Sequence, residues 1–509
     1  MEPTRPLLNG IDGSTGRYLP APGDEELLAR FRRKPLLDAA GLREYRWWIE
    51  RHGIDDPNRA PVQGVDPLRL DQSGWGVIFA PDIPADVRER LQPLLNRRKE
   101  QAGQYYREYA YRPGMTKLEF LASQGTGPGP ADPKKVPYYL LIVGSPEAIP
   151  LRFQYEMDVQ YAVGRIDFET AEEYGNYARS VVVAETRPAR PRQVTFFGVW
   201  NDDDPGTEST TKELIDPLSR TFTDLLKDNQ DWSVRTLIRG DAHRAQLSRL
   251  LGGEETPALL FTASHGMAFP LKHELQLRHQ GALLCQDWPG PKEWENKPIP
   301  ADWYFSAEDV KKEADLTGLI AFHFACYGGG TPDVGDFDSP VLGRPQQIAP
   351  RPFLSRLGQK LLGHEPGGAL AVLAHVDRAW TTSFSWIRPE DRSSPEDQNA
   401  DRSQARGGQI ETFESVLKRL LEGHPVGSAM EYINQRHAEL SVELCGLWGD
   451  REYMTPPSRS LFSRIWQANN DARNFVVLGD PAARMAGVPL QGSSNPAARP
   501  PTLPPSLSR

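Results

Sequence analysis

Short apolar runs that end abruptly in a glycine or a polar residue recur along this chain, and amphipathic segments separate them. Continuous apolar runs such as 138–143 (YYLLIV) and 319–324 (LIAFHF) are typical of strands buried on both faces. The intervening segments, among them 171–183 and 210–226, have the period of helices. This alternation predicts an α/β fold with a mostly parallel sheet that is covered by helices on both faces.

The pattern also predicts how the chain is divided. Residues 1–23 are rich in Gly, Pro and polar residues and are expected to be disordered, as is the Pro/Ser-rich tail 490–509. Residues 24–130 are dominated by helical periodicity and end in a Gly/Pro-rich stretch (GTGPGPADP), which predicts an N-terminal, mainly helical additional domain. The α/β domain is predicted over 131–489, with a polar, mobile loop at 387–408.

Two of the buried runs end in residues that carry chemistry. One is followed by Ser264-His265-Gly266, and the other ends at Cys326 and is followed by three glycines. Because ligands and reactive groups gather at the carboxyl ends of parallel strands, His265 and Cys326 are expected to lie side by side if these two strands are neighbours. A thiolate beside an imidazole is a nucleophile with its own acid and base, and the backbone N–H groups of Gly266 and Cys326 could hold an oxyanion.

Composition narrows the function classes. The net charge is −9 and the sequence has no basic cluster, so a nucleic-acid partner is not expected. Neither a signal peptide nor an apolar run long enough for a membrane span is evident, and no membrane partner is expected. Three cysteines form neither a disulfide framework nor a CxxC metal clip, which favours a reducing, cytoplasmic location and predicts no cofactor and no metal.

Simpler interpretations exist for both strand ends. A cysteine at the end of a buried strand is often a small core residue, and a His-Gly pair is often only a strand exit. Their joint occurrence favours catalysis, although a catalytically inactive scaffold or adaptor remains the alternative. A hydrolase of the G-x-S-x-G type is not supported, because that motif is absent.

The spacing of the two ends also has a precedent. The caspase nucleophile pattern reads Q-A-C-[RQG]-G, with a histidine about fifty residues upstream. Here the corresponding residues are Phe324-Ala325-Cys326-Tyr327-Gly328, with His265 at a comparable distance upstream. Phe324 and Tyr327 depart from the caspase pattern, which suggests the wider fold family and not the caspases themselves.

Further stretches resemble a particular family, the gingipain-type cysteine peptidases of the caspase–hemoglobinase fold, a group of bacterial caspase-like proteases. The matches occur in the family's order and extend from residue 138 to about 485, whereas residues 1–130 match no family. The matching stretches are 139–144 (YLLIVG), 157–161 (MDVQY), 163–166 (VGRI), 264–266 (SHG), 325–326 (AC), 371–374 (AVLA) and 477–481 (VLGDP).

The resemblance implies an endopeptidase with Cys326 as nucleophile, His265 as acid and base, and the amides of Gly266 and Cys326 as oxyanion donors. It further implies that Asp158 and Trp380 line the S1 pocket. Arg-specific members have an aspartate followed three residues later by tyrosine in this pocket, as Asp158 is followed by Tyr161, and Trp380 resembles the pocket's aromatic wall. A carboxylate in S1 favours Arg, and then Lys, before the scissile bond. The alternative for Asp158 is a turn or surface carboxylate.

Regulation is predicted from the polar loop and from what is common in this fold. The 387–408 loop carries Arg388, Arg392, Arg402 and Arg406. Mobile polar loops are preferred sites of proteolysis, so cleavage there by the enzyme itself or by an upstream activating protease is expected to convert a latent zymogen. Protein substrates and a role in a bacterial defence or cell-death cascade follow from analogy alone.

Overall fold

The structure, a computed structural model, describes residues 7–19, 61–186, 192–294, 297–335, 337, 347–385, 409–449 and 456–485. Arg388, Arg392, Arg402 and Arg406 of the predicted activation loop lie outside these residues, as do residues 24–60 and the tail. Within the described part, no helix is long and apolar enough to cross a membrane.

A ten-stranded sheet is the centre of the molecule. From one edge to the other its strand order is β3-β2-β4-β5-β16-β15-β12-β8-β6-β7. Its strands are β2 (Trp75–Phe79), β3 (Tyr106–Ala110), β4 (Tyr139–Val143), β5 (Ala162–Ile166), β6 (Arg192–Gly198), β7 (Trp232–Ile238), β8 (Leu259–Ala263), β12 (Ile320–Phe324), β15 (Ala371–His375) and β16 (Phe475–Gly479). Every residue of β2, β4, β5, β8, β12, β15 and β16 is buried, so both faces of the central strands are covered.

Helices flank this sheet and confirm the predicted α/β class. They are α1 (Leu70–Ser73), α2 (Ala85–Ala102), α3 (Lys117–Ser123), α4 (Leu151–Asp158), α5 (Ala171–Thr186), α6 (Pro205–Thr210), α7 (Asp216–Leu226), α8 (Arg244–Leu250), α9 (Gln276–His279), α10 (Arg356–Leu362), α11 (Ile410–Leu421), α12 (Val426–Ala429), α13 (Glu431–Gly449) and α14 (Pro456–Arg473). A π-helical turn, Thr211–Ile215, joins α6 to α7.

The sheet consists of two parallel halves that run in opposite directions. All its strand pairs are parallel except β15 with β16, which are antiparallel. The carboxyl ends of β15, β12, β8, β6 and β7 therefore meet at one edge, together with the amino ends of the other five strands. His265 and Cys326 follow β8 and β12 at this shared edge.

A smaller sheet stands beyond this edge. Its order is β1-β9-β10-β11, formed by β1 (Gly10–Asp12), β9 (Gly266–Ala268), β10 (Leu283–Leu284) and β11 (Tyr304–Phe305). A two-stranded sheet pairs β13 (Gly330–Thr331) with β14 (Phe353–Leu354). Because β9 begins at Gly266, directly after His265, the small sheet continues from the end of β8. The N-terminal strand β1 pairs with β9 in parallel.

Two expectations about the N-terminal region differ from the structure. Strands β2 and β3 belong to the main sheet, since β2 pairs with β4 in parallel, so residues 61–130 are not a separate helical domain. Helix α2 ends at Ala102, where Gly103 has φ 53°, and the residues after it form the edge strand β3. Residues 7–19, expected to be disordered, have a defined structure and include β1.

A buried carboxylate joins the N-terminal elements to the end of the chain. Asp480 accepts a hydrogen bond from Trp75 Nε1 at 2.9 Å and pairs with Arg98 Nε at 2.6 Å. Arg98 also pairs with Glu185 at 2.6 Å, and the side chains of Arg98 and Asp480 are fully buried. The Gly-Asp-Pro motif at residues 479–481 therefore connects β2, α2, α5 and β16.

We predict that Arg98→Met lowers the free energy of unfolding by about 3–5 kcal/mol, because it leaves two carboxylates in the interior without their cation. Arg69→Met is the matched control, since Arg69 and Asp71 form an ion pair with both side chains 54% exposed, and such pairs contribute about 1 kcal/mol or less. Urea denaturation of both variants measures the difference; equal losses would contradict it.

The middle of the sheet contains a neutral histidine. His323 is buried in β12, its Nδ1 lies 2.7 Å from Thr262 Oγ1, and burial lowers its pKa to about 4. Between the ordinary pKa of histidine and this value, the unfolded chain binds a proton that the folded chain does not.

Stability should therefore fall as the pH is lowered from about 6.5 to 4, by about 3 kcal/mol for this group. The measurement is the free energy of unfolding against pH for the wild type and for His323→Gln, which cannot titrate. The two curves should converge toward pH 4, and parallel curves would contradict the assignment.

Candidate active site

The register of β8 and β12 brings His265 and Cys326 together. These strands pair in parallel with Phe324 opposite Ala263, and Ser264 N donates to Phe324 O at 3.3 Å, so the next positions are His265 and Cys326. A Cβ atom on Gly266 would lie 1.9 Å from the carbonyl oxygen of Cys326. Only glycine permits so close an approach after the histidine.

Cys326 is fully buried and is held by the segment that follows β15. The N–H of Ala379 donates to Cys326 Sγ at 3.2 Å. Burial raises the pKa of the Cys326 thiol, and the Ala379 N–H opposes this shift. The next residue, Tyr327, has φ 59°, a conformation that costs energy for a non-glycine residue and turns the chain sharply beside the sulfur.

His265 is held by a carboxylate that the sequence analysis did not identify. His265 Nε2 lies 2.6 Å from Asp204 Oδ2, and both side chains are fully buried. Since Nε2 faces a carboxylate, it carries the proton, and Nδ1 is left with its lone pair. Among the described residues, His265 Nδ1 has no hydrogen-bond partner. The imidazole is thus oriented by one nitrogen and available for proton transfer at the other.

Asp204 is fixed by its place at the start of α6. It is the N-cap residue, and it accepts hydrogen bonds from Gly206 N at 3.1 Å and Thr207 Oγ1 at 2.8 Å. Burial alone would raise the pKa of Asp204, but the His265 ring and these donors hold it below its usual value. The signal in the sequence was an Asp-Pro-Gly capping pattern shortly after β6, the strand beside β8.

Two backbone donors converge on a single carbonyl oxygen beside the thiol. Gly266 N donates to the carbonyl oxygen of Asn9 at 3.0 Å, and Cys326 N donates to the same oxygen at 3.2 Å. These are the two amides that the sequence predicted as oxyanion donors. Their convergence is the geometry that stabilises a tetrahedral oxyanion in acyl transfer.

The carbonyl belongs to residues 7–19, which we name the plug. Thr381 N donates to Leu7 O at 2.9 Å, and Asn9 N donates to Ala379 O at 3.1 Å, so the plug runs antiparallel to the segment after β15. Beyond Asn9 the plug continues as β1, parallel to β9, with Gly10 opposite Gly266.

The far end of the plug returns to the Asp204 carboxylate. The hydroxyl group of Tyr18 donates to Asp204 Oδ1, and the Tyr18 ring contacts His265 edge-on with 5.5 Å between centroids. The plug therefore contacts the Cys326 thiol, the His265 imidazole and the Asp204 carboxylate.

The residues predicted to line S1 are placed differently. Asp158 accepts a hydrogen bond from Val163 N at 3.2 Å and lines a cavity of about 250 Å³ with Tyr138, Tyr161 and Glu431. Neither Cys326 nor His265 lines that cavity, and Asp158 is held at the end of α4 by its own turn. Asp158, one of the two residues predicted to line S1, therefore lies in a cavity that neither Cys326 nor His265 lines.

Trp380 does lie in the segment that pairs with the plug. It forms a β-bridge with Leu8, and its backbone N–H donates to Asp471 Oδ1 at 2.9 Å. Its ring packs on Phe337, with 5.3 Å between the ring centroids. Ser383 and His375 also contact the Asp471 carboxylate. Asp471 thus holds the segment that follows β15, and Trp380 lies opposite Leu8, the residue before Asn9.

The described residues contain no group of three or more His, Cys, Asp or Glu side chains that could hold a metal ion. Of the other two cysteines, Cys285 follows β10 and is buried in the main hydrophobic core, and Cys445 lies on α13.

Comparison with known proteins gives matches in structure only. The Arg specific cysteine proteinase gingipain R (RGPB) is similar over 84% of this chain and 80% of its own, with TM-score 0.46 and 14% identity. The complex of the RgpB pro- and mature domains from Porphyromonas gingivalis is similar over 81% and 80%, with TM-score 0.43 and 13% identity. A structure named only as a protease is similar over 81% and 79%, with TM-score 0.44 and 12% identity.

No family model and no curated protein matches the chain. The resemblance read from the sequence is confirmed in that gingipain structures are among those similar to this fold. At these identities and TM-scores the likeness carries no argument about activity, so a function has to be inferred from the chain's own site.

Proposed function

We propose that the protein is a cysteine endopeptidase in which Cys326 is the nucleophile and His265, oriented by Asp204, is the acid and base. The observation that carries the proposal is the convergence of the Gly266 and Cys326 amides on one peptide carbonyl oxygen, next to the Cys326 thiol. A core cysteine needs no such pair of donors, and a scaffold needs no buried Asp–His pair with a free ring nitrogen.

In this mechanism each group has one task. Cys326 Sγ attacks the carbonyl carbon of the substrate, and the two amides hold the oxygen as it becomes negative. His265 Nδ1 takes the thiol proton and returns it to the leaving amine, while Asp204 keeps the ring in the required tautomer. Water then hydrolyses the thioester by the reverse sequence.

The sequence also led to expectations about substrate preference, latency, activation, location and biological role. Arg or Lys before the scissile bond was expected from a carboxylate in S1, and Asp158 is not at the plug, so that expectation loses its basis. Latency is retained in the proposal, because a segment of the chain covers the thiol. Cleavage in the 387–408 loop, an upstream protease, a cytoplasmic location and a role in a defence cascade stay predictions.

We predict that Cys326→Ala abolishes all cleavage and that Asp204→Asn lowers kcat/KM by about 10²- to 10⁴-fold, because the amide no longer fixes the His265 tautomer. The assay exposes a denatured protein library to the full chain in the presence of a reductant and identifies new peptide ends by mass spectrometry.

Asp203→Asn is the matched control. Asp203 is adjacent in sequence, but its carboxylate accepts from Lys292 N at 2.9 Å and does not contact His265. Activity should be retained in this variant. Absence of any Cys326-dependent cleavage, of the library or of the chain itself, would favour the alternative of an inactive scaffold.

A further inference from the structure

We propose that the S1 subsite of this enzyme takes asparagine and that the Asn9–Gly10 bond is the chain's own first substrate. The plug thus keeps the cleft closed until that bond is cut. This inference rests on the proposed peptidase function and adds to it the residue before the scissile bond, the position of self-cleavage and the cause of latency.

The backbone of the plug has the direction and the hydrogen bonds expected of a bound peptide substrate. Its backbone pairs antiparallel with residues 379–381 through the Leu7 carbonyl oxygen and the Asn9 N–H. Antiparallel addition of an extended peptide to an exposed strand is a general mode of peptide recognition. The Asn9 carbonyl oxygen then lies on both oxyanion donors, which makes Asn9 the residue before the scissile bond and Gly10 the residue after it.

The Asn9 side chain occupies a pocket that suits a neutral amide. Asn9 is fully buried, and its Nδ2 donates to Thr210 Oγ1 at 2.9 Å. The Thr210 hydroxyl group donates in turn to Gly206 O at 2.7 Å, so its oxygen is the acceptor that the amide requires. The hydrogen bonds to this side chain that the described residues provide thus come from one uncharged hydroxyl group.

This pocket should reject the cation first expected there. An arginine side chain in it would lose its hydration without gaining a carboxylate partner, which is costly for a buried charge. Asp204, the carboxylate at the start of the helix that carries Thr210, is already engaged by His265, Tyr18, Thr207 and the Gly206 N–H. A buried hydrogen-bonding pocket also discriminates strongly against side chains that leave its polar group unpaired.

Gly10 allows the scissile bond to reach the sulfur. A Cβ atom at this position would lie 2.8 Å from Cys326 Sγ and 2.7 Å from Leu19 Cδ1. Any larger residue would have to move away from the thiol, so glycine after the bond is a steric requirement for this internal substrate. The same clash provides a way to displace the plug by one substitution while keeping the chain at full length.

The reaction balances without any added reagent except water. Cys326 Sγ bonds to the Asn9 carbonyl carbon, its proton passes to His265 Nδ1, and the Asn9–Gly10 C–N bond breaks as that proton moves to the Gly10 nitrogen. Water hydrolyses the thioester and regenerates the thiol. Residues 1–9 leave with a new carboxylate, and the chain then begins at Gly10.

Before cleavage, the plug blocks other substrates by occupying the same positions. Leu8, Asn9 and Ile11 are buried against the enzyme, and Tyr18 is hydrogen-bonded to Asp204. A segment joined covalently to the enzyme has a very high effective concentration at the cleft, so a separate peptide competes poorly with it. Departure of residues 1–9 exposes the backbone of residues 379–381, where the substrate residues before the scissile bond bind.

The first experiment follows the intact mass and the N-terminal sequence of the purified full chain over time. We expect a new N-terminus at Gly10 in the wild type and none in Cys326→Ala. Asn9→Ala should slow this cleavage at least about tenfold, since it removes the hydrogen-bonded amide. Asn96→Ala, an exposed asparagine on α2, is the matched control and should cleave like the wild type.

The second experiment measures hydrolysis of Leu-Leu-Asn and Leu-Leu-Arg fluorogenic peptides by the full-length Gly10→Val variant, in which the plug cannot sit on the thiol. The Asn peptide should be preferred by about 100-fold or more. Gly240→Val is the control, because a Cβ at Gly240 meets no atom within 4 Å and leaves the plug in place. In a Cys326→Ala background neither variant should hydrolyse either peptide, because the nucleophile is absent.

The outcomes separate this inference from the proposed function. Preference for the Arg peptide, or an intact Asn9–Gly10 bond in a chain that cleaves peptides in trans, overturns the inference and leaves the peptidase function standing. Faster self-cleavage of Asn9→Arg than of the wild type also overturns it. Loss of all Cys326-dependent cleavage in both experiments overturns the proposed function itself.

Discussion

The parallel pairing of β8 with β12 is the constraint on which the site depends. Parallel neighbours end at the same edge, and their in-register pairing through Ala263 and Phe324 makes the following residues a matched pair. A shift of one residue in that register would turn one side chain to the opposite face. The glycine at 266 is part of the same constraint, because the backbone after His265 passes so close to the Cys326 carbonyl that a side chain has no space.

The remaining parts of the site are fixed by buried carboxylates at the edge of the sheet. Asp204 orients the imidazole, and Asp471 holds Trp380 N and Ser383 Oγ on the segment that would receive a peptide. A buried carboxylate is stable only when donors surround it, so each of these residues fixes several neighbours at once. Asp480 acts in the same way far from the chemistry, where it joins Trp75 and Arg98. Positioning in this protein therefore depends on a few desolvated anions more than on individual apolar contacts.

The central strands could be predicted from the sequence, as could the positions of His265 and Cys326 at the ends of two of them, because both depend on local patterns. Apolar runs followed by glycine mark strands such as β4 and β12, and the identities of His265 and Cys326 are chemically distinctive. Asp204 was missed since its role depends on β6 lying beside β8, which periodicity does not reveal. Asp158 was chosen from local similarity, and its position was decided by a turn with Val163 that similarity does not encode.

The N-terminal plug shows most clearly why sequence patterns could not supply the rest. Its Gly-rich, polar sequence lacks the periodicity of a helix or a buried strand, and in isolation it would gain too little from folding to become ordered. Order comes instead from groups that another part of the chain presents: the amides of Gly266 and Cys326, the carbonyl oxygen of Ala379 and the hydroxyl group of Thr210. An enzyme cleft is a surface with unsatisfied peptide-binding groups, so a nearby flexible segment that can extend into it is favoured to do so.

In the proposed peptidase, latency would also depend on the protonation state of the Cys326 thiol. The plug that satisfies the oxyanion donors also covers the sulfur, and burial raises the pKa of the Cys326 thiol. A protonated thiol attacks poorly, so in the proposed peptidase the covered cysteine would react slowly even with the Asn9–Gly10 bond beside it. Solvation of the site as residues 1–9 leave would favour the thiolate and free the strand at the same time. Loss of residues 1–9 would then both uncover the sulfur and lower the pKa of the Cys326 thiol. Activation would therefore be a single step instead of a gradual one.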